Sequence, residues 1–364
     1  MSTLVVIIIF GILILIHELG HFLAAKKNGV KVEEFGLGFP PRLFGKKIGE
    51  TLYSLNLFPV GGFVKLFGEE YHELTDKTIK DQQLAIGNLK NRAFVYKKPW
   101  QKASIIVAGV LGNFILGWVV ISYLFTQGVP IPLNKVLVEK VQQESPAASA
   151  GLQAEDMIIG LKFDGKEYKI SSPNDLTVLT QKYLDKKIVL TVERRDKKRI
   201  IELTPRSKPP KNQGPLGVVI TTPFTEKKYP WYRAPFFGLI EAANITQKIV
   251  VELTKTLVQL VTLQKPKVEI AGPVGIARYA GQALKFGKNA VLELMALLSL
   301  NLAVINILPF PALDGGRFIF VVYEWMTKRR VNQSLERGLN LIGFIIILSL
   351  AGIVTVNDII KIYK

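Results

Sequence analysis

In "FGILILIHELGHFLAAKK" (residues 10–27), two histidines and a glutamate interrupt a run that is otherwise apolar enough to face lipid. An ionisable side chain in the hydrocarbon region is costly unless a partner satisfies it, so it marks a candidate functional site. The three groups, His17, Glu18 and His21, form the pattern H-E-x-x-H on a predicted helix. Other parts of the chain must therefore supply the interaction partners of these three ionisable side chains.

The spacing of this pattern suits a metal ion. Residues four apart lie on one face of a helix, one turn from each other, so His17 and His21 can hold one Zn²⁺. Glu18 lies about 100° round the helix, where it can take a proton from water at the metal. Short motifs also match by chance, but the chain has only three histidines and two of them complete this one. The sequence therefore predicts zinc as the cofactor.

Composition narrows the class of protein. The 364 residues are 49% hydrophobic and 21% charged, which predicts apolar segments alternating with a polar domain. There is no cysteine, which excludes disulfides and thiolate zinc sites. The net charge of +18 is spread over all polar stretches without a nucleic-acid-binding motif. We therefore expect no nucleic-acid partner, and basic loops that lie beside anionic lipid headgroups.

Four segments have the length and hydropathy of membrane-spanning helices: about 3–25, 103–125, 290–308 and 339–356. The first lacks the positively charged start of a signal peptide, so we expect it to be retained. Lys and Arg are concentrated in the loop 26–102 and between the last two spans, which predicts that both loops are cytoplasmic.

The loop after the first span contains a strand-like stretch at 51–68, TLYSLNLFPVGGFVKLFG. Its alternation is broken by Pro59 and by Gly61-Gly62, so we predict a β-hairpin within it. The stretch is unusually apolar for a loop. We therefore expect it to dip toward the membrane, where it is buried in protein or lines a cavity.

The region between the second and third spans is more polar. Short strand patterns over 128–224 predict an extracytoplasmic domain, and its segment 145–167 is similar to PDZ domains, which bind an extended peptide at a sheet edge. GPLGVVI (214–220) is either the carboxylate-binding loop of such a domain, moved by circular permutation, or an ordinary glycine turn. The stretch 231–287 is amphipathic, which predicts a helix lying on the membrane or packed beside the spans.

The predicted fold class is a polytopic α-helical membrane protein with about four transmembrane helices, a membrane-associated β-hairpin and an inserted PDZ-like α/β domain. The parts expected are an N-terminal transmembrane region (1–127), the PDZ-like domain (128–224), an amphipathic connector (225–288) and a C-terminal transmembrane region (289–364).

A catalytic zinc takes three protein ligands, so a third must come from elsewhere. His72 lies in a stretch typical of a solvated loop, and nothing directs Glu33 or Glu34 toward the first helix. The stronger candidate is Asp314 in NILPFPALDGGRF (306–318), where two prolines break a membrane segment and an intramembrane aspartate needs a cation. The same local sequence suits a helix N-cap or an Asp-Gly turn, and spacing alone leaves these alternatives equal.

H-E-x-x-H in the first span and N-x-x-P-x-P-x-L-D-G at 306–315 are together the paired motifs of the site-2 proteases, which this chain resembles over most of its length. The likeness is greatest to the bacterial branch of the regulator of sigma-E protease, through stretches such as FPVGGFVKLFGE and IAGPVGIARYAG. The resemblance implies that Asp314 is the third zinc ligand, that Glu18 is the catalytic base and that Asn306 contacts substrate or stabilises the oxyanion. It also implies that the hairpin offers a strand edge to the substrate. The other substrate-binding residues implied are Gly61, Gly62, Phe63, Pro309 and Pro311.

The resemblance further implies an intramembrane zinc metalloprotease in the bacterial cytoplasmic membrane. Its substrates would be transmembrane segments of single-pass proteins, such as anti-sigma factors or leftover signal peptides, after a first cut by another protease. Its active site would face the cytoplasm, and the PDZ-like domain would lie outside. Two features depart from the branch. Gly38-Phe39-Pro40 ends in a proline without a backbone donor where G-F-G is usual, and the chain has room for one PDZ domain where enterobacterial members have two.

Three other functions are compatible with parts of the sequence. A catalytically inactive, membrane-anchored PDZ adaptor would tolerate changes at His17, Glu18 and Asp314. A transporter could use the intramembrane charges as a relay, but four spans without an inverted repeat argue against it. A zinc protease for soluble substrates is disfavoured because its zinc helix would not lie in lipid.

Overall fold

The structure, a computed structural model, describes residues 2–69, 90–211, 213–262, 264, 272–329 and 331–363. His72 and the beginning of IAGPVGIARYAG lie outside the described residues. The chain forms two compact units, one made of Met1–Thr126 with Tyr229–Lys364 and the other of Gln127–Lys228.

Four helices of the larger unit are long and apolar enough to cross a membrane, and they match the four predicted segments. They are α1 (Ser2–Lys27), α2 (Pro99–Gln127), α7 (Lys288–Asn306) and α9 (Gln333–Tyr363), and the shorter α8 (Asp314–Thr327) separates the last two. In lipid a helix satisfies its backbone groups internally, and about 20 residues cover the hydrocarbon thickness. The most apolar window of α2 is 44% buried, against 6% for α9, so α2 is the most enclosed of the four helices.

Between α1 and α2 the chain forms an antiparallel sheet of two long strands, β1 (Val32–Ile48) and β2 (Thr51–Leu66). Residues 34–37 pair with 52–55 on one side and with 62–65 on the other, so the two strands fold into four adjacent stretches. The hairpin turn lies at residues 49–50. The pairing predicted within 51–68 is therefore wrong, because residues 34–37 insert between its two halves.

Two helices occupy the amphipathic stretch where one was predicted: α5 (Ala234–Val261) and α6 (Pro273–Phe286). In the first half of α5, Ala242 packs in a buried apolar cluster with Val120 of α2 and Leu300 of α7. This half of α5 thus lies beside the candidate spans, which is one of the two predicted arrangements.

A buried carboxylate ties the end of α9 to the start of α6. Asp358 is 7% exposed, and its Oδ2 accepts hydrogen bonds from the backbone N–H groups of Gly272 (2.9 Å) and Gly275 (2.8 Å). The first turn of a helix leaves such N–H groups without an intrahelical partner, and the helix dipole favours a negative charge there. Asp358 therefore caps α6 from a neighbouring helix.

The smaller unit contains an antiparallel sheet and two short helices. The strand order is β8-β7-β5-β4-β9, β6 pairs with β5, and β3 pairs separately with β10. Its core includes the fully buried Ile158, Leu161 and Leu190. The elements are β3 (Val129–Pro132), β4 (Val136–Val141), α3 (Pro146–Ser149), β5 (Met157–Phe163), β6 (Lys166–Lys169), α4 (Pro173–Lys182), β7 (Ile188–Arg194), β8 (Lys197–Leu203), β9 (Val218–Thr221) and β10 (Phe224–Lys227).

Helix α4 begins with a capping box. Ser172 Oγ accepts from the N–H of Asp175, and the Asp175 carboxylate accepts from the N–H groups of Ser171 and Ser172. These hydrogen bonds, above all the one from the Ser171 N–H, hold the pKa of Asp175 below its usual value. The PDZ assignment of this unit, and the role of the glycine turn before β9, stay predictions.

Candidate metal centre

Two histidines of α1 and the first residue of α8 converge in the larger unit. His17 Nε2 lies 3.0 Å from Asp314 Oδ2 and 3.2 Å from His21 Nε2, and His21 Nε2 lies 3.3 Å from the same oxygen. The N-cap position of α8 is Leu313, whose side chain makes no capping bond. The Asp314 carboxylate therefore faces the histidines and does not occupy the N-cap of its own helix.

The distances and the chemistry of this cluster fit a tetrahedral cation. Zinc bonds of about 2.0–2.2 Å to nitrogen and oxygen put neighbouring ligand atoms about 3.4 Å apart, close to the three separations in the cluster. Oδ2 of Asp314 is buried and has no hydrogen-bond partner among the described residues. A buried carboxylate oxygen beside two imidazole nitrogens is well satisfied by a cation. Within the described ranges, these three residues are the one group found with metal-ligand geometry.

Glycines between α1 and α2 make room for the two imidazoles. A Cβ at Gly109 of α2 would lie 2.3 Å from His21 Nε2 and 2.9 Å from His17 Cε1. A Cβ at Gly20 of α1 would lie 2.2 Å from the carbonyl oxygen of Ala108. Small residues of this kind let helices in lipid approach closely. The histidine-bearing face of α1 is therefore in direct contact with α2.

Each histidine has a second neighbour on α2 at its Nδ1 atom. His21 Nδ1 lies 2.8 Å from the carbonyl oxygen of Ile105, which can only accept a hydrogen bond. His17 Nδ1 lies 3.4 Å from the side-chain amide of Asn113. The amide nitrogen of Asn306 lies 3.5 Å from His17 Nε2, so this residue, predicted to contact substrate, is at the edge of the cluster.

The segment between α7 and α8 folds back onto the start of α8 and so positions Asp314. A Cβ at Gly315 would lie 2.1 Å from the Leu308 carbonyl oxygen, and a Cβ at Gly316 would lie 2.4 Å from that of Phe310. Only residues without a Cβ permit this approach. The two glycines after the aspartate are thus required by the way in which the chain reverses.

Pro309 and Pro311 lie in this reversed segment. Ala312 follows in a left-handed conformation with a φ of 70°, and its N–H donates to Asn340 Oδ1 at 3.1 Å. A Cβ at Gly343 of α9 would lie 2.4 Å from the Pro311 carbonyl oxygen. Helix α9 therefore supports the segment that carries Asp314.

The cluster lines a cavity of about 490 Å³, together with Glu18 and part of β2. A Cβ at Gly62 would lie 2.9 Å from Glu18 Cγ, so the strand passes directly beside this side chain. Gly62 and Phe63 begin the stretch of β2 that pairs with 34–37 on one side, and Gly61 directly precedes it. Among the described residues, the other edge of this stretch of β2 has no strand partner.

Comparison with known proteins identifies the family. A sequence profile of peptidase family M50 matches residues 5–350. The chain belongs to peptidase family M50. It is 34% identical over 363 residues to a Clostridium perfringens protein named as a zinc metalloprotease, covering 99% of each chain. It is also 29% identical over 429 aligned residues to the regulator of sigma-W protease RasP of Bacillus subtilis, covering 100% of this chain and 99% of RasP.

This M50 peptidase is a zinc metalloprotease of the site-2 type. The family, the enzyme class and the zinc cofactor predicted from the two motifs are thereby confirmed. A relative in Staphylococcus aureus, also named as a zinc metalloprotease, is 30% identical over 429 aligned residues, covering 97% of this chain and 96% of its own.

Two ion pairs hold α8 of the peptidase in place, and neither was predicted. Lys102 of α2, only 4% exposed, donates to both carboxylate oxygens of Glu324 at 3.0 and 2.8 Å. Arg317, one turn after Asp314, pairs with Glu69 beyond β2. Two features of the sequence could have indicated these pairs. Lys102 is a charged residue at the start of an apolar helix, and Arg317 is a cation three residues after Asp314.

The other residues weighed as ligands are engaged elsewhere or lie outside the described ranges. Glu33 pairs with Lys65 at 3.3 Å, and Glu34 accepts from Arg42 at 2.9 Å and from Ser54 at 2.6 Å. His72 lies outside the described residues. Asp314 is therefore the strongest candidate for the third ligand.

Proposed function

We propose that this metalloprotease hydrolyses peptide bonds within or near transmembrane segments of single-pass membrane proteins. His17, His21 and Asp314 hold the zinc, and Glu18 is the catalytic base. The observation that carries the proposal is the convergence of three ligand atoms within 4.8 Å, two of them from a helix long and apolar enough to span a bilayer. A metal site on such a helix suits a substrate that is itself in the membrane.

The chemistry follows from the groups around the cavity. Zinc, when bound, polarises a carbonyl oxygen and makes water more acidic. Glu18 lines the same cavity as the three ligands, so it takes the proton of the attacking water and passes it to the leaving amine. The amide of Asn306, beside His17, donates to the oxygen on which negative charge develops.

The substrate must be extended before it can be cut. A transmembrane helix keeps its carbonyl groups in its own hydrogen bonds, so cleavage needs an unwound segment held against a strand edge. Gly61, Gly62 and Phe63 supply that edge beside Glu18, which the proximity of Gly62 to this side chain supports. Pro309 and Pro311, in the segment that leads to Asp314, complete the substrate-contacting surface.

The same proposal includes the setting of the enzyme. We assign it to the bacterial cytoplasmic membrane with four spans, the metal site toward the cytoplasm and a PDZ-like domain (128–224) outside, between the transmembrane region 1–127 and the connector 225–288. The C-terminal transmembrane region is 289–364. The name of the relative RasP, a regulator of sigma-W protease, supports anti-sigma factors as one substrate class, cut after another protease has trimmed them.

The test uses the full chain purified in detergent, with bound zinc and cleavage of a transmembrane test substrate measured on the same sample. Glu18→Gln is expected to keep zinc and lose cleavage, and Asp314→Asn to lower the zinc content. Glu252→Gln, at an exposed ion pair on α5, is the matched control and should change neither. Normal cleavage by Glu18→Gln would refute the assigned base, and normal zinc in Asp314→Asn would refute the third ligand.

A further inference from the structure

Asn113 is an asparagine within the apolar helix α2, and it is completely buried. Its Nδ2 lies 3.4 Å from His17 Nδ1, while its Oδ1 has no hydrogen-bond partner among the described residues. A buried amide oxygen without a donor costs about 1–3 kcal/mol. An apolar helix that carries such a residue beside a metal ligand needs an explanation.

The metal role of His17 fixes the position of its ring proton. Nε2 faces Asp314 and His21, so a His17 that binds metal must use the Nε2 lone pair and keep its proton on Nδ1. An Nδ1–H donor needs an acceptor, and the NH₂ end of an amide can only donate. The oxygen end of the Asn113 amide is the acceptor that is near enough.

An amide group is nearly symmetric in shape, so a half-turn exchanges its oxygen and nitrogen without moving other atoms. After this turn Oδ1 accepts from His17 Nδ1–H, and the oxygen that lacked a donor gains one. The same side chain can thus serve either ring tautomer of His17, but only the oxygen-inward arrangement leaves Nε2 free for a metal.

We propose that Asn113 is a positioning residue of the metal site: its Oδ1 accepts the Nδ1–H of His17 and so holds this ring in the metal-binding tautomer and orientation. The proposal rests on the ligand set proposed above. Metal-binding histidines usually donate their second N–H to a carboxylate, a carbonyl or water, and removing that acceptor typically lowers metal affinity 10- to 100-fold.

The two histidines differ in how this acceptor is supplied. The acceptor for His21 is the backbone carbonyl of Ile105, which no substitution can remove. The acceptor for His17 is a side chain, so the tautomer of His17 depends on residue 113. The backbone of Asn113 is itself held, because Ser299 Oγ of α7 donates to its carbonyl oxygen at 2.7 Å.

The experiment compares zinc affinity, by chelator competition, among variants of the full chain in detergent. Asn113→Leu keeps the branching and the number of heavy atoms in the side chain and removes the acceptor, so zinc affinity should fall by about 10- to 100-fold. Asn113→Asp restores an acceptor and should stay within about threefold of the parent, well inside that range. Ser299→Ala removes a neighbouring hydrogen bond without touching His17 and should also keep the parental affinity. The cobalt-substituted absorption spectrum should change in Asn113→Leu alone, while far-UV circular dichroism reports folding.

Four results would overturn the proposal. Parental affinity in Asn113→Leu would show that no acceptor is needed, and an equal loss in Asn113→Asp would show that the acceptor is not what matters. An equal loss in Ser299→Ala would assign the effect to helix packing. A His17→Ala variant separates this proposal from the ligand set, because zinc affinity retained there would refute the ligands themselves.

Discussion

Replacing Gly109 by alanine tests whether the close contact between α1 and α2 sets the metal site. The new Cβ would lie 2.3 Å from His21 Nε2, whereas ordinary contacts begin at 3.4 Å, so the ring must move by about 1.1 Å or the helices must separate. Metal–ligand distances tolerate only about 0.2 Å. Overpacking of this kind costs about 1–3 kcal/mol, so zinc affinity should fall by about 5- to 150-fold.

Two other glycine-to-alanine changes are matched controls for this prediction. A Cβ at Gly11 of α1 meets nothing within 4 Å, so that variant should behave as the parent does. A Cβ at Gly117 of α2 would lie 2.7 Å from Leu300 Cδ2, which strains the contact with α7 away from the histidines. This variant should melt earlier and still bind zinc. Chelator competition on the three purified proteins measures the affinities, and parental zinc affinity in Gly109→Ala would refute the reasoning.

Three further predictions concern stability. Lys102→Met deprives Glu324 of its partner and should lower the stability of the full chain in detergent by about 3 kcal/mol, with partial recovery on exchanging the two charges; an unchanged melting temperature would contradict this. Asp358→Ala should speed hydrogen exchange in the first turn of α6, and unchanged exchange there would argue against the cap. Residues 127–228 made alone should unfold cooperatively in urea. In this fragment, Asp175→Ala should lower the free energy of unfolding by about 1 kcal/mol at pH 7. Because the folded pKa of Asp175 is lowered, the part of this difference that depends on its charge should be complete above about pH 4 and decrease as the pH falls through the lowered pKa. A difference that does not change with pH would contradict this role of the charge.

The helices and the placement of His17 beside His21 could be predicted because their signals are local. Hydropathy over about 20 residues identifies a candidate span, and H-E-x-x-H places two imidazoles on one helical face. The sequence around Asp314 suits a helix cap or a turn equally well, so it does not by itself identify a metal ligand. The segment before Gly315 folds back so that backbone atoms come into contact. This contact turns the Asp314 carboxylate toward the histidines.

The strand pairing of the β1–β2 sheet could not be predicted from local sequence patterns. The alternation correctly indicated extended structure in 51–66. Gly61-Gly62, which were predicted to break it, lie within the continuous strand β2, and the two halves of this strand share a partner in residues 34–37, which precede both. A β-pairing register depends on distant residues, whereas a helix closes its hydrogen bonds within four residues. The ion pair of Lys102 with Glu324 escaped prediction for the same reason, since 222 positions separate the two residues.

The residues that support the ligands form a pattern of their own on α2. Lys102 holds α8 through Glu324, Ile105 accepts from His21, Gly109 gives the two imidazoles their space, and Asn113 lies against His17. Their spacings of three, four and four residues put all of them on one face of a single helix. The candidate ligands come from α1 and α8, and α2, the most enclosed of the four candidate spans, contacts both of these helices and both imidazole rings. A displacement of this one face should therefore disturb all three ligands together, whereas a substitution on the opposite face of α2 should leave zinc affinity unchanged.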